Sequence, residues 1–226
     1  MDRLPKYLHQ TQESLWFTEE EKENLTINYK IKKVLYAEES KFQHVMVLDS
    51  YDFGTMLVLD GAVQTTSMDG FIYNEMIAHV PCSIHPAPKR VLIIGGGDGG
   101  AAREAAKHEF VERIDLVEID ESVVKVCQQY LPEISGGTTV DPRIRHHFAD
   151  GVEFVKRCKN EYDVIIVDSS DPVGPAIQLF ESSFYQSIYE ALREDGLMVC
   201  QSQSPIFHRK IMRQSYARIG SIFPYH

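Results

Sequence analysis

No apolar run in the 226-residue sequence approaches the roughly 20 residues that a membrane-spanning helix needs. The opening residues, Met1-Asp2-Arg3-Leu4-Pro5-Lys6, carry no signal-peptide pattern. The four cysteines, Cys82, Cys127, Cys158 and Cys200, form no Cys-x-x-Cys pair. Free buried thiols in a reducing cytoplasm are therefore expected. Positive charge is also in short supply: 23 Lys and Arg stand against 33 Asp and Glu, a formal net charge of -10. That balance argues against a nucleic-acid backbone as partner and favours cationic small molecules. Internal repeats and low-complexity segments are absent. What remains, 43% hydrophobic and 25% charged residues, is an ordinary globular composition. The length suits one good core with a small appended domain.

The chain reads as two parts. Residues 1–67 are β-rich: apolar and polar residues alternate from Leu25 to Tyr36, and Val45 to Leu48 and Met56 to Leu59 are apolar runs flanking a turn-forming segment, Asp49 to Gly54. Asp60-Gly61 marks a tight hairpin turn before Ala62-Val63-Gln64. This predicts a small antiparallel domain of hairpins. A helix is expected from Asp69 to Val80, with Ile72, Met76, Ile77 and Val80 on one face and Ser67 or Asp69 as its cap. From Lys89 onward the pattern changes. Strands at Val91–Ile94, Ile114–Ile119, Ile144–Phe148, Val164–Val167 and Leu197–Gln201 alternate with helices at Gly100–Lys107, Glu121–Tyr130, Gly151–Arg157, Glu181–Leu192 and Ile206–Ile219. Five strand–helix alternations imply an α/β architecture, a parallel sheet wrapped by helices on both faces. The expected division is 1–67 for the hairpin domain and 68–226 for the parallel-sheet domain.

The segment richest in chemistry is Asp168-Ser169-Ser170-Asp171-Pro172-Val173-Gly174-Pro175, directly after the buried strand Val164-Ile165-Ile166-Val167. Ligands of open α/β sheets bind at the carboxyl ends of the strands. Two carboxylates there attract a cation and can accept a proton from it, the two services an amine substrate requires. Gly95-Gly96-Gly97-Asp98-Gly99-Gly100 lies between a strand and a helix, where glycines let backbone approach a ligand. Asp98 at its centre would repel a pyrophosphate, so a cationic or zwitterionic ligand suits the loop better than a dinucleotide. The lesser alternative is a tight turn that Asp98 caps. Glu118 lies 21 residues beyond Gly97, the spacing at which an acidic residue accepts hydrogen bonds from ribose hydroxyls. Asp120 reads as the cap of the helix from Glu121. Asp150-Gly151 reads both as a helix N-cap and as an adenine contact, the carboxylate accepting the exocyclic amine.

Three other signals lead nowhere. Asp52-Phe53-Gly54 matches a kinase triplet without that fold's glycine loop or lysine strand. Glu75 with His79, and His146-His147, fall short of the three or four ligands of a zinc site, so no metal is expected. Asn24-Leu25-Thr26 fits a glycosylation sequon that has no meaning without secretion.

Taken together the blocks resemble the spermidine synthase family, the polyamine aminopropyltransferases, over nearly the whole chain. The resemblance rests on Gln43, Leu57-Val58-Leu59-Asp60-Gly61 with Gln64, Tyr73-Asn74-Glu75-Met76, Gly95 to Gly100, Glu118-Ile119-Asp120, Asp150-Gly151 and Asp168 to Pro175. It implies a Rossmann-like, methyltransferase-type sheet and aminopropyl transfer from decarboxylated S-adenosylmethionine to a diamine, normally putrescine, giving spermidine and 5′-methylthioadenosine. The donor is a co-substrate, and no other cofactor is implied. By the same resemblance Gln43, Glu118, Asp150, Gly151 and Pro175 hold the donor's nucleoside. Asp98 and Asp168 bind the aminopropyl ammonium or neighbouring amines. Tyr73, Asn74, Asp168 and Asp171 line the diamine end, and Asp168 takes the proton. Position 74 is Asn where relatives commonly carry His or Gln, and the family's C-terminal strands are expected to be missing. Two other functions fit the same sheet: an S-adenosylmethionine-dependent methyltransferase and a non-catalytic nucleoside- or polyamine-binding protein. A homodimer or homotetramer is expected through edge pairing of the N-terminal strands.

Overall fold

The computed structural model describes residues 4–11, 13–169, 174–202 and 204–225. The chain forms two compact units, Met1–Tyr73 with Asp98–Gly100 and Asp120–Gly136, and Asn74–Gly97 with Ala101–Ile119 and Gly137–His226.

The first unit is built on a six-stranded antiparallel sheet in simple meander order. Its strands are β1 (Leu8–Gln10), β2 (Leu15–Lys22), β3 (Leu25–Glu39), β4 (His44–Ser50), β5 (Thr55–Leu59) and β6 (Ala62–Thr66). The hairpin expected at Asp60-Gly61 is there: both residues have positive φ, +48° and +86°, as a type I′ turn requires. Side chains alternate along β4. Met46 and Leu48 pack with Phe17, Ile31 and Val58 on one side. Val45 and Val47 point the other way, onto Val123, Val126, Cys127, Leu131 and Ile134. Those last residues belong to two helices, α3 (Glu121–Tyr130) and α4 (Pro132–Ser135).

The second unit is a five-stranded parallel sheet in the order β11-β10-β7-β8-β9. The strands are β7 (Arg90–Gly95), β8 (Arg113–Glu118), β9 (Ile144–Phe148), β10 (Tyr162–Asp168) and β11 (Leu192–Cys200). Helices α1 (Gly70–Ile84) and α2 (Gly100–Ala105) carry residues onto one face, where Ile77, Ala78, Ala101 and Ala105 meet Val91, Ile93, Val164 and Ile166. On the opposite face α5 (Gly151–Val155) and α6 (Ser182–Ala191) bring Val152, Val155, Phe184 and Ile188 against Leu92, Ile94, Ile165 and Val167. Ile219 of α7 (Arg209–Gly220) packs against the same cluster. Strands that alternate between two buried faces explain the unbroken apolar runs in the sequence. The Rossmann-like α/β fold with an added N-terminal antiparallel sheet is thus what the chain adopts.

Several local expectations need correction. The first unit has two strands, β1 and β2, that the alternation did not reveal; β2 reads Leu-Trp-Phe-Thr-Glu-Glu-Glu-Lys, and only Phe17 on it is buried. Helix α1 runs one turn beyond Val80, through Pro81, whose carbonyl still accepts from the His85 amide at 3.1 Å. Neither proposed cap serves it. The Ser67 hydroxyl accepts from the Thr55 amide at 2.9 Å, and the Asp69 carboxylate accepts from the Thr66 hydroxyl at 2.5 Å. The expected common face of this helix is also divided: Ile77 is buried with Ala78 and Cys82, whereas Ile72, Met76 and Val80 face outward. Helix α7 begins at Arg209, three residues later than Ile206. The four cysteines are free, and burial pushes the Cys82 thiol up to about 11.

Asp163 ties the entry side of the parallel sheet. Its buried carboxylate accepts from the Lys89 and Arg90 amides at 2.8 and 2.7 Å and from the Arg193 guanidinium at 2.7 Å, so it joins the starts of β10, β7 and β11. Asp163→Ala leaves these donors without their acceptor and is expected to cost about 2 kcal/mol of stability, measured as the shift in a urea unfolding curve at unchanged slope.

Candidate active site

The order of the parallel sheet reverses between β7 and β10. The chain leaves β7 towards β8 and β9 and returns on the other side for β10 and β11. Such a switch point opens a crevice at the carboxyl ends of the two strands. The last paired residues across it are Gly95 of β7 and Asp168 of β10. The Gly96 amide donates to the Asp168 carbonyl at 2.8 Å. A Cβ on Gly95 would lie 2.1 Å from that carbonyl oxygen, and one on Gly96 would lie 3.0 Å from Asp168 Oδ2. Gly95 and Gly96 also have φ of +81° and +65°, a region that L side chains rarely adopt. The glycines are required because the Asp168 segment passes so close to them.

The neighbouring strands end at the same edge. Glu118 closes β8 and is paired with Phe148 of β9. Its backbone carbonyl accepts from the Ala149 amide at 3.1 Å, which fixes the chain just before Asp150. Asp150 caps α5: Oδ1 accepts from the Val152 amide at 2.8 Å and the Glu153 amide at 3.3 Å. The capping half of the dual reading of Asp150 holds. Gly151 is where this helix start approaches β7 most closely, since a Cβ there would lie 2.4 Å from Ile94 Cγ2. Adjacent strand ends in the second unit therefore bring together Gly95, Gly96, Glu118, Asp150, Gly151 and Asp168. Asn74, also in this unit, is buried at 1% exposure with neither amide atom hydrogen-bonded. A buried carboxamide without partners is costly unless a ligand completes it.

The first unit holds Asp98, Gln43, Asp120 and Tyr73. Asp98 Oδ1 accepts from the Gly100 amide at 2.8 Å, the cap that the turn reading predicted. Gln43 donates through Nε2 to Asp120 Oδ2 at 3.1 Å, and Ser40 donates to the same oxygen at 2.6 Å. Ser40 Oγ in turn accepts from the Phe42 and Gln43 amides. Asp120 caps α3 through Oδ1, as expected, accepting from Ser122 N at 3.0 Å. Its second duty, orienting Gln43 together with Ser40, has no local sequence signal because the partners lie far apart in the chain. Tyr73 is exposed at 41%. Asp171 lies outside the described residues, and Pro175 lies in a 3-10 helix, Gly174–Phe180.

The histidines set aside in the sequence go elsewhere. His79 bonds His108 and Glu104, His146 faces the Thr138 carbonyl, and His147 bonds Asp115. Among the described residues no three His, Cys, Asp or Glu gather as a metal site would require, and no helix is long and apolar enough to cross a membrane.

Fold and strand ends together define an α/β protein of the Rossmann-like class, with acidic and glycine residues at the carboxyl edge of its parallel sheet. Comparison with known proteins makes that class specific. A model of the spermine/spermidine synthase domain matches residues 70–226, and a model of the spermidine synthase tetramerisation domain matches residues 15–67. The polyamine aminopropyltransferase of Caldicellulosiruptor saccharolyticus is 52% identical over 210 residues, covering 93% of this chain and 75% of that protein. That of Thermoanaerobacter sp. strain X514 is 50% identical, covering 93% of this chain and 76% of its own. A crystal structure of spermidine synthase in complex with the transition state analogue AdoDATO superimposes with a TM-score of 0.91 at 41% identity, covering 99% of this chain and 76% of that one. The spermidine synthase of Thermotoga maritima gives 0.89 at 41% identity, with 95% and 73% covered. The chain belongs to the spermidine synthase family and is an aminopropyltransferase.

Gly95→Ala places a methyl group against a backbone carbonyl in a backbone conformation unfavourable to alanine, and should cost about 3 kcal/mol or more. Gly137 is the control: its φ is +86°, but nothing lies within 4 Å of a Cβ there, so Gly137→Ala should cost only about 1 kcal/mol. Urea unfolding of both variants checks the difference.

Proposed function

We propose that the chain transfers the aminopropyl group of decarboxylated S-adenosylmethionine to putrescine, yielding spermidine and 5′-methylthioadenosine. The observation that carries this reading is Asp168 at the end of β10, paired with Gly95 at the switch point of the sheet. The solved relative named for its AdoDATO complex supports the nucleoside half of the reading.

In this reading Glu118 accepts hydrogen bonds from the ribose hydroxyls. Asp150 and the Gly151 backbone serve the adenine, and Gln43 and Pro175 complete the nucleoside pocket. Asp98 attracts the primary ammonium on the donor's propyl arm. Tyr73, Asn74 and Asp171 line the diamine end. Putrescine carries two ammonium groups near neutral pH, and an ammonium has no lone pair with which to attack. Asp171 keeps the distal ammonium charged and anchored. The donor sulfonium lowers the proximal amine's pKa by like-charge repulsion. Asp168 accepts the proton from that nitrogen as it bonds to the propyl carbon. The carbon–sulfur bond breaks, its electron pair stays on sulfur, and the thioether leaves neutral. No oxyanion develops, so alignment of nitrogen, carbon and sulfur dominates, and alignment of this kind can lower a barrier by about 7–11 kcal/mol.

The working division of the chain in this proposal is a hairpin domain, residues 1–67, and a catalytic domain, residues 68–226. Identical chains assemble as a homotetramer, a reading supported by the tetramerisation model matched over residues 15–67.

Asp168→Asn removes the proton acceptor but keeps the side-chain shape. Steady-state kinetics with putrescine should show kcat lowered by about 10²–10⁴-fold, while calorimetry shows donor binding retained. Turnover at the native rate would remove Asp168 from this role.

A further inference from the structure

We propose that a hydrogen bond between His79 and His108 fastens helix α1 to the end of α2, that one added proton leaves this bond intact and a second breaks it, and that His79 is thereby a positioning residue for the helix that bears Asn74. The link to Asn74 rests on the putrescine reading above; the bond itself does not.

All the groups involved lie in the second unit. His79 stands on α1, beyond Asn74 on the same helix. Its Nδ1 is 2.8 Å from His108 Nε2, and its Nε2 is 3.1 Å from Glu104 Oε2. The His108 amide donates to the Ala105 carbonyl at 3.2 Å, which ties this histidine to the last residue of α2. Glu104 is buried on α2, where its carboxylate also meets the Arg103 guanidinium at 2.8 Å and the Lys107 ammonium. Burial disfavours the charged form, but the hydrogen bonds from Lys107 and Arg103 outweigh it and hold the carboxyl below its usual range. An ionised carboxylate only accepts, so His79 Nε2 carries a hydrogen and donates.

The remaining choice lies between His79 Nδ1 and His108 Nε2. With both rings neutral, His108 donates to a bare Nδ1. With one added proton, whichever ring carries it, a donor and an acceptor still face each other. With two, N–H meets N–H between like charges at hydrogen-bond distance, and the rings must part. The other charged groups around His79 are Glu104, with Arg103 and Lys107 beside it, and Glu75 one turn back on α1. In this cluster the two imidazoles are the groups suited to titrate between about pH 5 and 8. Burial, and next the charge of His79, lower the pKa of His108. The unfolded chain therefore takes up that proton first. The stability this contact contributes is complete above about pH 6.5 and is lost as pH falls below that value.

Ile77, Ala78 and Cys82 seat α1 on the core of the second unit, and His79 adds the polar tie to α2. Parting of the rings loosens the helix that holds the buried, unpartnered Asn74 carboxamide. Asp168 ends β10 and takes no part in the tie.

His108→Gln and His108→Leu in the full chain test this. A glutamine carboxamide donates or accepts as His79 requires and does not titrate, whereas leucine does neither. Putrescine KM and kcat, and urea unfolding curves, are measured at about pH 7.5 and about pH 5.5, on either side of the imidazole range. Acidification should raise the wild-type KM about fivefold more than that of H108Q, and H108Q should match the wild type at the higher pH. H108L should have a raised KM at both values with kcat little changed. A wild-type pH dependence of KM in H108Q, or a wild-type KM in H108L at the higher pH, would overturn the positioning role. If the chain does not turn over putrescine, the substrate reading fails and the urea curves still decide the bond. H108Q should then lose less stability on acidification than the wild type, and H108L should be the less stable at the higher pH; equal losses, or an H108L as stable as the wild type, would overturn it.

Discussion

The close passage of two backbone segments, Gly95-Gly96 and Asp168, is the constraint on which the site depends. The Asp168 carbonyl stands where a Cβ on residue 95 would have to be, and the Gly96 amide donates to it. That approach aligns the ends of β7 and β10 at the switch point of the sheet. It places the Asp168 carboxylate beside Gly95 and Gly96 at the carboxyl edge of the sheet. The next strand ends are set by the same parallel order, so Glu118 and Asp150 arrive at this edge through the sheet's register. The chemistry proposed for Asp168 follows from its position. It is the last residue of a buried strand, where the backbone is held by neighbours on both sides and the side chain is half-buried.

Supporting residues act through hydrogen bonds that are easy to describe and hard to foresee. Asp120 serves two masters: one carboxylate oxygen caps α3, and the other receives Ser40 and Gln43. Loss of this carboxylate would loosen a helix end and a proposed nucleoside contact together. Asp150 and Asp98 likewise accept backbone amides at helix starts, which restricts their orientation before any ligand arrives. Fixed carboxylates of this kind cost less to organise when a ligand binds than mobile ones would.

The second unit was largely legible in the sequence because β7 and β10, buried on both faces, leave uninterrupted apolar runs that end in Gly95 and Asp168. Asp150 and Asp120 were legible as caps for the same local reason. The hairpin unit was less so. Strand β2 presents glutamates to solvent, and Phe17 alone is too little to establish a period. In helix α1 the spacing of the apolar residues points to a single face, but the fold buries Ile77 and leaves Ile72, Met76 and Val80 outside. Burial of Asn74 without partners could not be read locally either, since it depends on what packs over α1.

The central claim is that carboxylates at the sheet's rim select a cationic donor. Titration calorimetry of the wild-type chain with decarboxylated S-adenosylmethionine and with S-adenosylmethionine tests it most directly, because the two differ by one carboxylate. The account predicts tighter binding of the decarboxylated form by about tenfold or more, equivalent to about 1.4 kcal/mol. Equal affinities, or a preference for the carboxylate-bearing form, would contradict it.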